Sequence, residues 1–265
     1  MAAMLSFLRR KPTPDPLASP RWPAIGRAMP LLQGLTAEEW ERLEQRMRTF
    51  LADKSFNAVQ GLALDQDKLL VIAAQAALPV MNLDDSAYHG WFDVVVYPTA
   101  FVSRDAWRDE IGLVHEGEFE YAGMARSDGP LLLSWPDSQA GPALDGWNLV
   151  IHECAHKLDM LNGSANGFPP LHAGMSQTDW TRAFERGYRD FCRRLDRGER
   201  MAIDPYAAEN PAEFFAVLSE CFFELPHLLH TEYPAIYTQL REFYRQDPGM
   251  RLPVIGVDEA GWYDN

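Results

Sequence analysis

The spacing of hydrophobic residues predicts a series of helices along this chain. A first amphipathic helix follows Thr36, which together with Glu39 predicts a capping box, and a second, more buried helix covers residues 65–77. A long amphipathic helix is predicted over residues 180–195, and a closing helix over residues 234–246. After the second helix the pattern changes to shorter apolar runs.

These shorter runs predict β-strands in the middle of the chain. One run covers residues 92–97 and another covers residues 129–135, and each is bounded by polar residues or by glycine and proline. Helices and strands in one chain of this length predict an α+β fold.

The two ends of the chain differ from the part between them. Residues 1–30 are rich in proline, which predicts a flexible or loosely docked lead-in. We therefore expect ordered structure to begin near Leu31, with a single domain over residues 31–250 and a C-terminal tail over residues 251–265.

Composition narrows the class of protein. The chain has 265 residues, of which 47% are hydrophobic and 12% aromatic, so it can form a well-packed core. Its net charge is −14, from 38 acidic and 24 basic residues, and no basic cluster is interleaved with aromatic residues. This charge pattern argues against direct binding to nucleic acid.

The sequence also predicts a cytoplasmic protein. The charges near the N-terminus follow a very short apolar stretch, which is the reverse of a secretory signal. The longest apolar stretch, residues 69–80, is broken by Gln75 and Pro79 and is shorter than the roughly 20 residues that span a bilayer. Three cysteines without metal-binding spacing are typical of a reducing compartment.

The strongest indication of chemistry is the motif His152-Glu153-Cys154-Ala155-His156. On a helix, residues four apart lie on one face, so the two histidines can bind one metal ion. A glutamate beside them can accept a proton from a metal-bound water, as in zinc peptidases.

The neighbouring residues predict that this motif lies on a mostly buried helix. Residues 149–151 are apolar, Asp145 is the expected N-cap, and Asn162-Gly163 is the expected end. Buried polar groups without partners cost about 1–3 kcal/mol each, and a zinc ion with its water would supply those partners. The alternative is that ordinary hydrogen bonds satisfy the histidines.

A catalytic zinc site needs a third protein ligand. Asp159 shares the face of His156, but its short side chain is better placed to orient a histidine than to reach the metal. A second buried helix with Asn210 as N-cap carries Glu213 and Glu220, which point the same way. Glu213 can instead complete a capping box, and spacing alone does not rank the two glutamates.

Three segments of the chain together resemble the Mlc titration factor A family of bacterial zinc peptidases. They are residues 151–159, 206–220 and 110–115, and the similarity extends from Leu31 to Pro248. The catalytic domain of that family is similar to that of anthrax lethal factor, a zincin. The resemblance therefore implies a zincin-like fold, in which a small sheet packs on the active-site helix and further helices surround it.

The resemblance also implies roles for individual residues. In that family the zinc ion is bound by the two helical histidines and by the glutamate of a Pro-Ala-Glu segment, which matches Glu213 here. One zinc ion per chain would then be held by His152, His156 and Glu213, with Glu220 beside them. A tyrosine of the family matches Tyr206, which becomes the candidate donor to the oxyanion.

The implied activity is hydrolysis of peptide bonds, with Glu153 as general base and aminopeptidase action on short peptides. In zincins the edge strand before the metal helix pairs with the substrate, and residues 131–135 are either that strand or an ordinary one. His115, in a matching segment, has a structural or substrate-contact role rather than a role as zinc ligand.

Two other functions remain open at this point. The family takes its name from sequestering Mlc, a transcriptional repressor, so the chain can instead be a regulatory binding protein in which hydrolysis is secondary or latent. A structural zinc domain would need a fourth protein ligand, and the chain has no suitable cysteine pair.

Overall fold

The computed structural model describes residues 15–108, 114–125 and 129–256. For residues 16, 102–108 and 114–121 it describes the backbone only. The α-helices in this part of the chain are α1 (Trp22–Arg27), α2 (Ala37–Asp53), α3 (Gln66–Ala77), α4 (Trp135–Ala140), α5 (Leu149–Asp159), α6 (Gln177–Asp196), α7 (Pro211–Glu224), α8 (Pro226–Glu232) and α9 (Pro234–Tyr244). The strands are β1 (Ser55–Ala58), β2 (Asp93–Tyr97), β3 (Phe101–Arg108), β4 (Val114–Tyr121), β5 (Gly123–Ala125) and β6 (Leu131–Ser134). The predicted α+β class is confirmed.

Four of the strands form one sheet in the order β1-β2-β6-β5. The first three run parallel, with Val94 opposite both Phe56 and Leu131, and β5 runs antiparallel to β6. Strands β3 and β4 pair only with each other in the described residues. Residues Leu131 and Leu133 of β6 are fully buried, as expected for an internal strand.

This strand order decides between the two alternatives for residues 131–135 in favour of an ordinary strand. The strand within residues 131–135 is internal, because β5 pairs along its outer side, and Trp135 already begins α4. The outer strand next to the metal helix is β5, which is only three residues long. Its glycine and short length left no alternating pattern from which a strand would be predicted.

The predicted helices are present with nearly the expected limits. Thr36 and Glu39 form the predicted capping box at the start of α2, and Asp65 caps α3. Helix α9 ends at Tyr244, before the predicted limit of 246, because Arg245 takes a left-handed conformation with φ of 52°. None of the helices in the described ranges is long and apolar enough to cross a membrane.

The packed structure begins earlier than Leu31. Helix α1 lies in the segment expected to be a lead-in, and Trp22 is 2% exposed and stacks on Trp40 of α2. At the other end, Arg251 donates to the backbone oxygen of Leu31 at 2.7 Å, so the first residue of the expected tail is bonded to the first residue of the expected domain. Residues 1–14 of the lead-in and 257–265 of the tail lie outside the described residues.

Helix α7 is the central helix of the C-terminal half. Apart from its first residue, Pro211, and Glu213, it is buried throughout, which matches its nearly continuous apolar sequence. Its aromatic residues Phe214 and Phe215 pack against Phe184 of α6, and its polar side faces α5. The packing of α7 between these helices brings its glutamates against the predicted metal helix.

Replacement of Trp22 by alanine tests whether residues before Leu31 belong to the packed structure. The Nε1 atom of Trp22 donates to Glu44 at 2.8 Å, so the substitution removes both buried area and a hydrogen bond. We expect Trp22→Ala to lower the free energy of unfolding by about 3–5 kcal/mol in urea titration. Arg21→Ala is the control, because it removes only an exposed ion pair worth about 1 kcal/mol or less. Equal stability of the two variants would contradict this packing.

Candidate metal centre

Helix α5 presents the motif, and local hydrogen bonds fix where the helix begins and ends. The N-cap is Asn148, whose Oδ1 accepts from the backbone N–H of Ile151 at 3.0 Å. Asp145 was the expected cap, but its carboxylate accepts from Trp147 in the preceding turn. The helical path continues as a short 3₁₀ turn, Met160–Asn162, and stops at Gly163 as predicted.

Three side-chain atoms of α5 and α7 converge on one point. The Nε2 atoms of His152 and His156 lie 3.2 Å apart. One oxygen of Glu213, Oε2, lies 3.0 Å from the first of these nitrogens and 3.1 Å from the second. In the described part of the chain, these three residues form a group that could hold a metal ion.

The geometry distinguishes the two glutamates that spacing alone did not rank. Glu213 faces both imidazoles, and the capping of α7 is done by Asn210, whose Oδ1 accepts from the N–H groups of Ala212 and Glu213. Glu220 lies behind the site and accepts from Nδ1–H of His152 at 2.7 Å. With Nδ1 bonded to Glu220, the ring nitrogen of His152 that lies next to Glu213 and His156 is Nε2, which can bind a metal ion once it has lost its proton.

Two residues of this arrangement were not predicted. Asn148 donates its backbone N–H to Glu220 and its side-chain amide to Glu224 at 2.9 Å. Glu224 also accepts from the N–H of Gly146 at 3.0 Å. Glu224 stands four residues after Glu220, so the helical spacing alone could have indicated that it faces α5 as well.

Glu153 lies between the metal-binding face and strand β5. Its side chain is 5% exposed, and its Oε2 atom is buried without a hydrogen-bond partner in the described structure. A Cβ atom on Gly123 of β5 would lie 2.6 Å from the other oxygen of Glu153. The strand can therefore approach the helix this closely only because residue 123 is glycine.

Asp159 does not have its expected role. It was expected to orient a histidine, but its Oδ2 atom accepts from the backbone N–H groups of Asn166 and Gly167, each at 2.7 Å. The Nδ1 atom of His156 and the Oδ1 atom of Asp159 are both buried without hydrogen-bond partners. In the described structure, two backbone donors of the following loop, which helical spacing does not reveal, occupy one oxygen of this carboxylate, and the other oxygen makes no hydrogen bond.

The two remaining candidate residues, Tyr206 and His115, lie in different elements. Tyr206 is in the 3₁₀ turn Pro205–Ala208 that precedes α7, is 49% exposed, and has its ring centre 6.2 Å from that of His152. Tyr206 therefore borders the site from the solvent side. His115 is in β4, opposite Trp107, and its side chain lies outside the described residues.

The electrostatics of the site favour a cation. Burial works against a charge on Glu213, but hydrogen bonds from His152 and His156 outweigh burial and hold its pKa below the usual range. Burial also disfavours a charged His152, yet Glu220, Glu213 and Glu153 outweigh burial and raise the pKa of this histidine well above its ordinary value. Several carboxylates thus share a buried space in which positive charge is needed.

The donor set fits a divalent metal ion. On a tetrahedron with metal–ligand bonds of about 2.0–2.1 Å, neighbouring donors stand about 3.3 Å apart. The three donor–donor distances here are 3.0, 3.1 and 3.2 Å. The partnerless oxygen of Glu153 lies in the same buried region, where a metal-bound water would satisfy it.

The fold and this site define a metallopeptidase of the zincin-like type. Comparison with known families agrees, since the model described as glucose-regulated metallo-peptidase M90 matches residues 6–245. The chain belongs to this family. The predicted relationship is thereby confirmed.

Similar bacterial proteins carry the name Mlc titration factor A. The protein of Salmonella gallinarum is 43% identical over 236 residues, which cover 87% of this chain and 88% of the relative. The protein of Yersinia pestis is 41% identical over 227 residues, which cover 84% of each chain. The similarity thus extends over most of both proteins.

Replacement of Glu220 tests whether this residue positions the metal donors. Glu220→Gln removes the negative charge behind His152, and we expect the affinity for zinc to fall by about 10–100-fold in competition titration with a chromogenic chelator. Glu209→Gln is the control, because Glu209 is exposed. An unchanged affinity in Glu220→Gln would show that the negative charge of Glu220 does not support the site.

Proposed function

We propose that the chain is a zinc-dependent peptidase that hydrolyses peptide bonds. This proposal depends on one observation. The donor atoms of His152, His156 and Glu213 converge on one point, and α5, the helix of the two histidines, also carries Glu153. Resemblance to the family supports aminopeptidase-like action on short peptides. Hydrolysis of free and N-acetylated peptides of the same sequence tests this point, since an aminopeptidase cleaves only the free form.

The metal proposed for the site is one zinc ion per chain. Two imidazole nitrogens and one carboxylate oxygen are the ligand types of catalytic zinc sites with an open position. When bound, zinc polarises the scissile carbonyl and lowers the pKa of a coordinated water to about 7. His152, His156 and Glu213 would hold the ion, and Glu220 would fix the ring of His152.

Glu153 is the proposed general base. Its carboxylate is buried beside the metal-binding donors, and burial raises its pKa, so it can take up a proton and release it again. Glu153 would accept a proton from the attacking water and then donate it to the leaving amine. Its unpartnered oxygen is available for that proton.

Tyr206 is the proposed donor to the oxyanion. Its ring lies beside that of His152 at the solvent-facing side of the site, where a substrate carbonyl would arrive. Strand β5 is the proposed pairing edge for the substrate backbone. It is one of the two outer strands of the four-stranded sheet and passes directly against Glu153.

We also place this peptidase in the cytoplasm. Cys154, Cys192 and Cys221 are all free thiols, and two of them are buried. Unpaired cysteines of this kind are typical of a reducing compartment.

A second candidate function is the binding of a repressor protein. The name of the relatives, Mlc titration factor A, favours it. Co-sedimentation of zinc-loaded Glu153→Gln protein with purified Mlc tests this alternative. Binding by this variant together with loss of hydrolysis would separate the two functions, and no binding by the wild-type protein would remove the second one.

Replacement of the proposed base gives the main test of catalysis. We expect Glu153→Gln to lower kcat by about 10²–10⁴-fold at unchanged zinc content, because the water loses its proton acceptor. Chromogenic amino-acid amides and short peptides serve as substrates, and Glu209→Gln serves as the control. Equal rates in Glu153→Gln and the wild-type protein would refute the proposed mechanism.

Removal of the hydroxyl group of Tyr206 tests the proposed oxyanion donor. Tyr206→Phe keeps the ring next to His152, so zinc binding should persist while kcat falls by about 10²–10³-fold. Zinc content and steady-state kinetics measured on the same sample check both parts. The role is wrong if the variant binds no zinc or turns over at the wild-type rate.

A methyl group on Gly123 tests the contact between β5 and Glu153. In Gly123→Ala the added Cβ would lie 2.5 Å from Leu149 and 2.6 Å from Glu153, so either the strand or the carboxylate must move. We expect kcat to fall on the order of tenfold to a hundredfold with zinc still bound. Met124→Leu on the same strand is the control, and comparable kinetics for the two variants would contradict this constraint.

A further inference from the structure

A cavity of about 440 Å³ adjoins the metal-binding donors on one side. His156 and Glu213 line one end of it, so the cavity opens directly from the site. Its other lining residues come from β5, from the end of α5, from the following loop and from the start of α7; they are Ala125, Met160, Ala165, Asn166, Asn210, Pro211 and Ala212.

The part of the cavity lining that the structure describes is mostly apolar. Apart from the two metal-binding donors, its described lining consists of alanines, a methionine, a proline and two asparagines. The amide oxygen of Asn166 already accepts from the backbone N–H of Phe168 at 2.9 Å.

One wall of the cavity, formed by Ala165 and Asn166, is fixed to the metal helix. Asp159 at the end of α5 accepts from the backbone N–H groups of Asn166 and Gly167. Gly167 has φ of +77°, and a Cβ there would lie 2.4 Å from the backbone oxygen of Pro211. The loop is therefore held against α5 by a carboxylate and against α7 by a contact that only glycine permits.

A larger cavity of about 1000 Å³ lies between α6 and α9, but its position gives it no part in this chemistry. Its rim carries the exposed arginines of α6, three of which pair with acidic residues of the same helix. The smaller cavity is the one that a substrate bound at the metal donors would enter.

We propose that the cavity beside His156 and Glu213 is the subsite for an apolar substrate side chain next to the scissile bond. Asp159 is a positioning residue that holds its Ala165–Asn166 wall. This inference rests on the proposed peptidase function and names its substrate class. It also gives Asp159 a role in substrate selection in place of the histidine-orienting role expected from the sequence.

The experiment uses two sets of five short peptides, X-Ala-Ala and Ala-X-Ala, in which X is Ala, Leu, Phe, Asp or Lys, so that X adjoins the first peptide bond from one side or the other. Their affinity for zinc-loaded Glu153→Gln protein is measured by calorimetry, and the sites of cleavage by the wild-type protein are identified by mass spectrometry. We expect the Leu and Phe peptides to bind at least about tenfold more tightly than the Ala peptide, because their side chains bury more apolar surface in the cavity.

A substitution that fills the cavity tests its position. Ala165→Phe, in the Glu153→Gln background, should weaken binding of the Phe peptide by about tenfold and leave the Ala peptide nearly unchanged. Ser164→Phe is the matched control, because it adds the same bulk at the exposed neighbouring residue. Equal effects of the two substitutions, or none in either, would overturn the subsite.

Substitution of Asp159 tests how the wall is held. We expect Asp159→Ala to raise KM for the Phe peptide on the order of tenfold, with kcat and zinc content little changed, because the wall moves while the donors stay. Asp159→Asn still offers an oxygen to both N–H groups, so its KM for the Phe peptide should lie close to the wild-type value. A loss of zinc affinity in Asp159→Ala, with KM unchanged, would instead return Asp159 to the histidine-orienting role.

Failure of this inference is distinguishable from failure of the proposed function. Hydrolysis by the wild-type protein without any dependence on X would leave a peptidase and remove the subsite. Selective binding by Glu153→Gln without hydrolysis by the wild-type protein would keep the subsite and remove the peptidase function. Neither binding nor hydrolysis would overturn both.

Discussion

The site depends on the mutual burial of the polar faces of α5 and α7. Glu220 and Glu224 are each 1% exposed, and a carboxylate buried that deeply is stable only when it is hydrogen-bonded. Helix α5 supplies the donors, from the ring of His152 and from both the backbone and the side chain of Asn148. The bonds that satisfy α7 therefore also fix the start of α5 and the direction of its first histidine.

This arrangement explains how side chains that are far apart in the sequence are held at fixed distances from one another. Glu213 is 57 residues after His156, yet its carboxylate meets both imidazoles because Glu220, two turns further along the same helix, is bonded to α5. On the opposite side, Gly123 lets β5 pass against Glu153. The reactive groups thus lie on rigid elements, as a preorganised active site requires.

Local patterns in the sequence predicted most of these elements, whereas contacts between elements decided the rest. The helical motif and the alignment of Glu213 with Glu220 follow from spacing, which is a local property. The edge strand β5 was missed because three residues are too few to show the alternation of apolar and polar residues that predicts a strand. Asn148 was missed because Asp145 is an equally good capping residue. Asp159 was misjudged because its partners belong to a loop whose path the sequence does not show.

X-ray absorption at the zinc edge, on the zinc-loaded protein and on His156→Ala, tests the central claim most directly. The account predicts nitrogen and oxygen ligands at about 2.0–2.2 Å, two imidazoles in the wild-type protein and one in the variant. A sulfur ligand at about 2.3 Å, or an unchanged spectrum in His156→Ala, would contradict it, because the metal would then lie elsewhere than between α5 and α7.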